Sequence, residues 1–324
     1  MANQRRCPMS TLREALMQYV AVRRALGTKL AEPAETLGQF VSFLEREQSS
    51  RITTELALRW SMAPQGVQRA TWARRLSMVR QFAKWLNASD PQIEVPPYRL
   101  ILGRRRRNKP HIFTDAEVGR LMAEAGRLRS STGLRSLTYT TLIGLLASTG
   151  LRPGEALALD KSDVDLKNGI LSIRQTKFGK SRFVPIDPST CTALKEYAER
   201  RDALCLQPRS PAFLLSERGR RLLGGPVRRT FASISSAIGL RPRMIGKRCG
   251  RGPRLQDFRH SFATQRLVEW YRAGLDVERE LPKLSTYLGH VEIGLTYWYI
   301  EAVPELLALA NKRLGTVHLP GGEQ

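Results

Sequence analysis

The segment "STGLRPGEALAL", Ser148 to Leu159, decides how the second half of the chain is read. It follows an apolar helical stretch, Leu137 to Ser148. Gly150 ends that helix, because glycine takes the left-handed turn at a helix C-terminus without a Cβ penalty. Pro153 opens the next one, because a first-turn residue needs no amide hydrogen. Arg152 is therefore held between two helices rather than on the face of one. An arginine in a turn is commonly just a solvated surface group, but Glu155 follows three residues later and can hold the guanidinium as a bidentate pair.

Two β-like runs come next, "GILSIRQ" and "SRFVPI", separated by "TKFGK", which predicts a hairpin around Phe178 and Gly179. Helices are expected over Ser189–Leu204, Val227–Ile238, Asp257–Tyr271 and Val303–Leu314. In "LQDFRHSFATQRL", Gln256 and Arg259 are three apart and share a helical face, while Phe258, Phe262 and Leu267 turn to a core. His260 has no metal partner at usable spacing and reads as a structural histidine. Further on, "LGHVEIGLTYWYIEAV" sets His290 after a turn-forming glycine and ahead of Tyr297, Trp298 and Tyr299. Trp298 reads as packing. Tyr297 and Tyr299 lie about 200° apart on a helix of about 100° per residue, so only one can face a given site.

Upstream, the first 87 residues read as helices. "TLRE" at Thr11–Glu14 is a capping box ahead of Leu12, Leu16, Tyr19 and Val20. "AETLGQFVSFLE" places Leu37, Phe40, Val41 and Leu44 on one face. A third helix, Val67–Leu86, is expected to bury Trp72, Leu76, Val79 and Leu86. It also carries Arg69, Arg74, Arg75, Arg80 and Lys84, with no acid between Gly66 and Asn87. That is more charge than a solvated face needs, and phosphate contact is the expectation. The segment that follows holds four prolines and the run Arg104, Arg105, Arg106, Arg107, as an extended basic linker would. Thr114 then caps "DAEVGRLMAEA" and opens the second domain. The expected division is a helical DNA-binding domain over 1–90, a basic linker over 91–112 and a second domain over 113–324. The fold class is mainly α with a small antiparallel β-hairpin or sheet in the C-terminal domain.

Composition sets the partner. Lysine and arginine number 53 against 29 acids, a net charge of +24. A field of that strength draws a polyanion, with double-stranded DNA the first candidate. A membrane partner is not expected: there is no run of 18 apolar residues and no apolar signal core in "MANQRRCPMS". The expected location is the cytoplasm. Cys7, Cys191, Cys205 and Cys249 are widely spaced and read as reduced thiols, with neither a zinc site nor a disulfide framework.

Taken together, "TGLRPGEAL", a hairpin lysine, "DFRHSFAT", "LGH" and a tyrosine nine residues after that histidine resemble the tyrosine recombinases, the family of phage integrases, chromosome-dimer resolvases and mobile-element integrases. The resemblance covers roughly 113–314, and the N-terminal part looks like that family's core-binding domain. It implies a tyrosine-recombinase catalytic domain that cleaves and rejoins duplex DNA through a covalent 3′-phosphotyrosine intermediate. No metal, ATP or other cofactor is implied. Arg152 and Arg259 would clamp the scissile phosphate, Lys177 would protonate the leaving 5′ oxygen, His290 would hydrogen-bond the phosphate and Tyr299 would be the nucleophile. Glu155 takes the acidic position beside the first arginine. Lys180 is the alternative to Lys177. The family's H-x-x-R reads Gln256-x-x-Arg259 here, and glutamine can donate to phosphate but cannot shuttle a proton at neutral pH. A homotetramer on two DNA sites, or assembly with related recombinases, is implied, with "VPELLALANKRL" packing into a neighbour. A type IB topoisomerase-like activity and a catalytically weak or inactive DNA-binding protein are the alternatives.

The chemistry suits these residue types. A phosphodiester under attack gathers negative charge on its non-bridging oxygens, and planar guanidinium groups donate paired hydrogen bonds to it from fixed positions. A tyrosine with a pKa of about 10 is a poor nucleophile until cations lower that value or a base takes its proton.

Overall fold

The computed structural model describes residues 12–28, 30–103, 109–174, 181–242 and 252–289. The chain divides into two compact units, Met1–Asn108 and Lys109–Gln324.

The first unit is helical: α1 (Leu12–Ala25), α2 (Ala31–Arg46), α3 (Thr54–Met62) and α4 (Arg69–Asn87). The expected stripes form its core. Leu16, Tyr19 and Val20 of α1 and Leu37, Phe40, Val41 and Leu44 of α2 are buried against Leu76, Val79, Phe82 and Leu86 of α4. Each fully buried side chain of this size contributes about 1.5–3 kcal/mol. The capping box at Thr11 lies outside the described residues. Trp72 departs from expectation: it is half-buried, and its indole N–H donates to Pro64 O at 2.9 Å. The short helix α3, not separated out in the sequence, buries Trp60 against Phe40, ring centroids 5.0 Å apart.

Residues 91–103, expected in the linker, lie on this unit. Ile93 is buried in its core, the Glu94 amide donates to Ile52 O at 3.0 Å, and the Glu94 carboxylate accepts from Thr54 N at 2.7 Å. A carboxylate there meets the unpaired amides and positive end of α3. The expected linker thus narrows from the N-terminal side. Arg104 to Arg107 lie outside the described residues.

Near the start of the second unit, the Phe113 ring stacks on Phe258 at 4.3 Å and its amide donates to Ser261 Oγ at 2.8 Å. Helix α5 (Asp115–Gly126) has a complete capping box, with Thr114 Oγ1 accepting from Glu117 N and Glu117 Oε2 from Thr114 N. Helix α6 (Leu134–Thr149) is buried on several sides, through Leu134, Thr138, Tyr139, Leu142, Ile143, Leu145, Leu146 and Thr149, and is the central helix of the unit. A short α7 (Pro153–Ala158) leads to a three-stranded antiparallel sheet of order β1 (Val164–Asp165), β2 (Ile170–Ile173), β3 (Arg182–Pro185). The β2–β3 register pairs Leu171 with Val184 and Ile173 with Arg182. Leu171, Ile173 and Val184 face the core, and Phe183 points outward, as the two-residue period of a strand requires.

Helices α8 (Pro188–Leu204), α9 (Gly224–Ala237) and α10 (Asp257–Arg272) fall within a few residues of their expected bounds. Helix α11 (Val277–Leu288) was not foreseen. It buries Val277, Leu281, Leu284 and Leu288 against Phe262, Leu267 and Val268, and its internal Pro282 sits on the exposed side. The helix expected at Val303–Leu314 lies outside the described residues.

Candidate active site

Gly150 ends α6 in the left-handed region, φ +59°, with its amide on Leu146 O. It has a second reason to be glycine: a Cβ there would stand 2.6 Å from Phe262 Cδ1. Leu151 is buried, and Arg152 follows in extended backbone as the residue that precedes α7. The arginine therefore projects from a three-residue link, Gly150 to Arg152, anchored at both ends. Its side chain keeps 32% of its surface exposed.

Glu155 is the hub. Its side chain is 8% exposed, Oε1 accepts from Arg152 Nη1 at 2.7 Å, and Oε2 accepts from the Arg152 backbone N–H at 3.1 Å. The bidentate pair expected with Arg152 is instead made with Arg182, whose Nη1 and Nη2 donate to Oε1 and Oε2 at 3.2 and 2.8 Å. Burial pushes the carboxyl up. The hydrogen bonds and charge of Arg182, then of Arg152, more than offset it and hold the group below the usual carboxylate range.

Arg259 lies in the first turn of α10 and is 1% exposed. Its Nη1 donates to Gly150 O at 3.1 Å and its Nη2 to Leu288 O at 2.6 Å. Arg152 Nη2 donates to Gly289 O at 3.1 Å, and Arg182 Nε to Tyr287 O at 2.8 Å. Three guanidinium groups thus converge on three consecutive carbonyls at the C-terminal end of α11, where the helix presents unpaired acceptors and partial negative charge. Three cations against the one carboxylate of Glu155 leave this cluster a surplus of two positive charges (3 − 1 = 2). It can hold an anion with paired hydrogen bonds.

Two neighbours are kept uncharged. Burial lowers His260 to about 4, against the opposing charge of Asp257 and helped by those of Arg254 and Arg259, so it is neutral at pH 7. This agrees with a structural role. Tyr287 stacks on Phe262 at 5.6 Å, its hydroxyl donates to Pro185 O at 3.4 Å, and burial raises its pKa to about 12. Tyr287 is a packing tyrosine and a poor source of phenolate.

The structure thus brings together Arg152, Glu155 and Arg259, and places Gln256 one turn before Arg259, immediately ahead of α10. Lys177 and its rival Lys180 belong to 175–180, between β2 and β3. These residues, together with His290, Tyr297, Trp298 and Tyr299, lie outside the described residues. Arg182 was missed in the sequence. Its signal was there: alternation with Val184 puts it on the buried face of β3, where a cation needs a partner.

The basic helix α4 sorts its five cations. Arg69 and Lys84 are exposed. Arg74 pairs with Glu32 at 2.6 Å, and Arg80 Nε donates to Pro96 O at 2.9 Å beside the Tyr98 ring. Arg75 stacks on Trp60 at 3.6 Å and donates to Trp60 O, and burial pushes its pKa down. It packs within the first unit. Among the described residues no three His, Cys, Asp or Glu side chains gather to hold a metal ion, and no helix is long and apolar enough to cross a membrane.

A mainly helical unit with a small antiparallel sheet and arginines converging beside a "TGLRPGEAL" turn defines a DNA breaking–rejoining enzyme of the tyrosine recombinase kind. Residues 111–305 match the phage integrase family, and the chain belongs to it. It is 45% identical over 310 residues to "Putative integrase/recombinase y4rB" of Sinorhizobium fredii, covering 94% of this chain and 98% of that one. It is 29% identical over 294 residues to the tyrosine recombinase XerC of Herpetosiphon aurantiacus, covering 88% and 89%. Two solved structures share the fold. XerH bound to palindromic difH substrate has a TM-score of 0.60 at 19% identity, covering 88% of this chain and 78% of that one. The Tn1549 transposon integrase with transposon right end DNA has a TM-score of 0.62 at 15% identity, covering 95% and 100%.

Proposed function

We propose that this protein is a site-specific recombinase that cleaves and rejoins duplex DNA through a 3′-phosphotyrosine intermediate, without metal or ATP. The observation that carries the reading is the convergence of Arg152 and Arg259, 107 positions apart (259 − 152), on the turn that leads into His290. Two guanidinium groups and a histidine meet the charge demand of a phosphodiester that two-metal nucleases meet with cations.

In this reading Tyr299 loses its phenol proton to solvent, its pKa lowered by the neighbouring arginines, and the phenolate Oη attacks phosphorus as the P–O5′ bond breaks. The leaving O5′ takes a proton from Lys177, giving a 3′-phosphotyrosine and a free 5′ hydroxyl. Rejoining is the reverse, by a 5′ hydroxyl from the same or another strand. Arg152 and Arg259 hold the non-bridging oxygens, and His290 donates to one of them. Gln256 in the family's histidine position supplies a hydrogen bond without proton shuttling, so that Gln256→His is expected to raise the cleavage rate. Exposed Arg69 and Lys84, with Arg104 to Arg107, supply non-specific phosphate attraction. The working form is a homotetramer on two sites, or an assembly with related recombinases, in the cytoplasm.

The test uses the full chain and a pool of duplexes with randomised cores, each carrying one nick so that the cleaved end diffuses away and the adduct is trapped. Wild type is expected to form a denaturant-resistant adduct on a subset whose sequence defines the site. Tyr299→Phe is expected to form none and Tyr297→Phe to retain it. Loss of the adduct in Tyr297→Phe alone reverses the choice of nucleophile. No adduct in wild type overturns the reading in favour of a DNA-binding protein, and relaxation of plasmids lacking the recovered site favours topoisomerase action.

A further inference from the structure

Arg182 stands at a junction that the reaction scheme leaves unused. It opens β3, directly after the hairpin segment that holds Lys177. It forks onto Glu155 of α7, and its Nε reaches Tyr287 O near the end of α11. Its guanidinium also lies against Gly289, where a Cβ would come within 2.8 Å of Nη1 and 3.0 Å of Cζ. Gly289 has φ +67°, so backbone and packing both ask for glycine in front of His290. One side chain therefore joins the three elements from which Arg152, the hairpin lysine and the histidine depart.

Arg182 is 12% exposed where Arg152 is 32%, and both ends of its fork are filled by Glu155. It is placed to organise rather than to grasp. What it organises follows from how Glu155 shares its oxygens. With Arg182 on both of them, the carboxylate meets the Arg152 guanidinium through one contact, Nη1 on Oε1. Released from Arg182, the carboxylate can turn to take both Nη groups of Arg152, its usual bidentate geometry. That would withdraw the donors a phosphate needs.

We propose that Arg182 is a positioning residue: by occupying Glu155 and seating the Tyr287–Gly289 turn, it keeps the Arg152 guanidinium available to the scissile phosphate. The proposal rests on the phosphotyrosine reading above.

The test is a double-mutant cycle on full-length protein, using the nicked duplex that wild type selects from the randomised pool, with single-turnover adduct formation and DNA affinity measured separately. Arg182→Gln is expected to slow adduct formation by about 30-fold, within the range for loss of a supporting partner, with affinity changed less than about twofold. In an Arg152→Ala background the same change is expected to cost less than about threefold, because residues acting as a unit are non-additive. Arg182→Lys keeps the charge but not the fork, and is expected to stay within about threefold of Arg182→Gln. If Arg182→Gln does not fold, Arg182→Lys carries the same cycle. Effects that multiply in the Arg152→Ala background, affinity falling in step with rate, or full rescue by lysine each overturn the proposal. Failure of wild type to form any adduct tells against the reading of function instead.

Discussion

Gly150→Ala probes the hinge between α6 and the Arg152 turn, and its cost can be worked from two contributions. The first is backbone strain: an L-residue in the left-handed region costs about 1–2 kcal/mol, less about 0.4–1 kcal/mol because alanine also restricts the unfolded chain. The second is steric. The new Cβ would stand 2.6, 2.9 and 3.1 Å from Phe262 Cδ1, Cγ and Cβ, and Phe262 is 7% exposed and stacked on Tyr287. Moving a buried ring costs about 1–3 kcal/mol, for a total of about 1–5 kcal/mol. The same helix supplies its own control. Gly133, at the start of α6, has φ +82° with nothing within 4 Å of a Cβ, so Gly133→Ala should cost the strain alone, about 1 kcal/mol. Hydrogen exchange of α6 amides, read by mass spectrometry on the full chain, measures the opening free energy of this unit alone. Because Gly150 O accepts from Arg259 Nη1, adduct formation should fall in Gly150→Ala and not in Gly133→Ala. Equal destabilisation by the two variants, within about 0.5 kcal/mol, would show that Phe262 relaxes freely and that the steric argument is wrong.

Glu155→Gln leaves Arg152 and Arg182 without their shared counter-charge and should destabilise the second unit by about 3 kcal/mol at pH 7. Because the folded pKa of Glu155 is depressed, its contribution is complete above the unfolded value of about 4.3. It is lost as pH falls through the folded one, so the gap between wild type and variant should close on acidification; a gap constant with pH counts against the pairing. His260 should titrate near 4 rather than 6.5 by NMR. In that window the unfolded chain binds the proton first, so His260→Gln should flatten the loss of stability as pH falls from about 6.5 to 4. Arg75→Ala should destabilise the first unit by about 1–2 kcal/mol through its lost contact with Trp60, with an unchanged salt slope of DNA binding. Arg69→Ala and Lys84→Ala should each lower that slope by about 0.9 at little cost in stability; the reverse pattern would reassign these residues.

What the sequence disclosed was what is local along the chain. Gly150 and Pro153 mark the end of one helix and the start of the next by backbone chemistry alone, and Thr114 with Glu117 completes a box within four residues. The strands of the hairpin were legible from alternation; β1, only two residues long, leaves too short a pattern. Helix α11 was hidden by Pro282 and by the charges of "DVEREL", although Val277, Leu281, Leu284 and Leu288 repeat at helical spacing. Its proline, sixth of twelve residues, faces outward and removes one hydrogen bond from the exposed side of the helix. In the site, the Arg152–Glu155 contact follows from an i, i+3 spacing. The fork of Arg182 depends on strand pairing that returns the chain 27 residues later, which no local rule supplies. Arg75 shows the same limit, since its partner Trp60 belongs to another helix.

The bond from Arg152 to Gly289 spans 137 residues, and that from Arg259 to Leu288 uses the end of the last described helix. During synthesis the N-terminal unit and α6 are complete long before α11 leaves the ribosome, and domains fold in that order. The chain thus carries most of its positive charge into a cell full of nucleic acid before its arginine cluster can close. A product stalled before α11 would carry that charge without the carbonyls on which the arginine cluster closes.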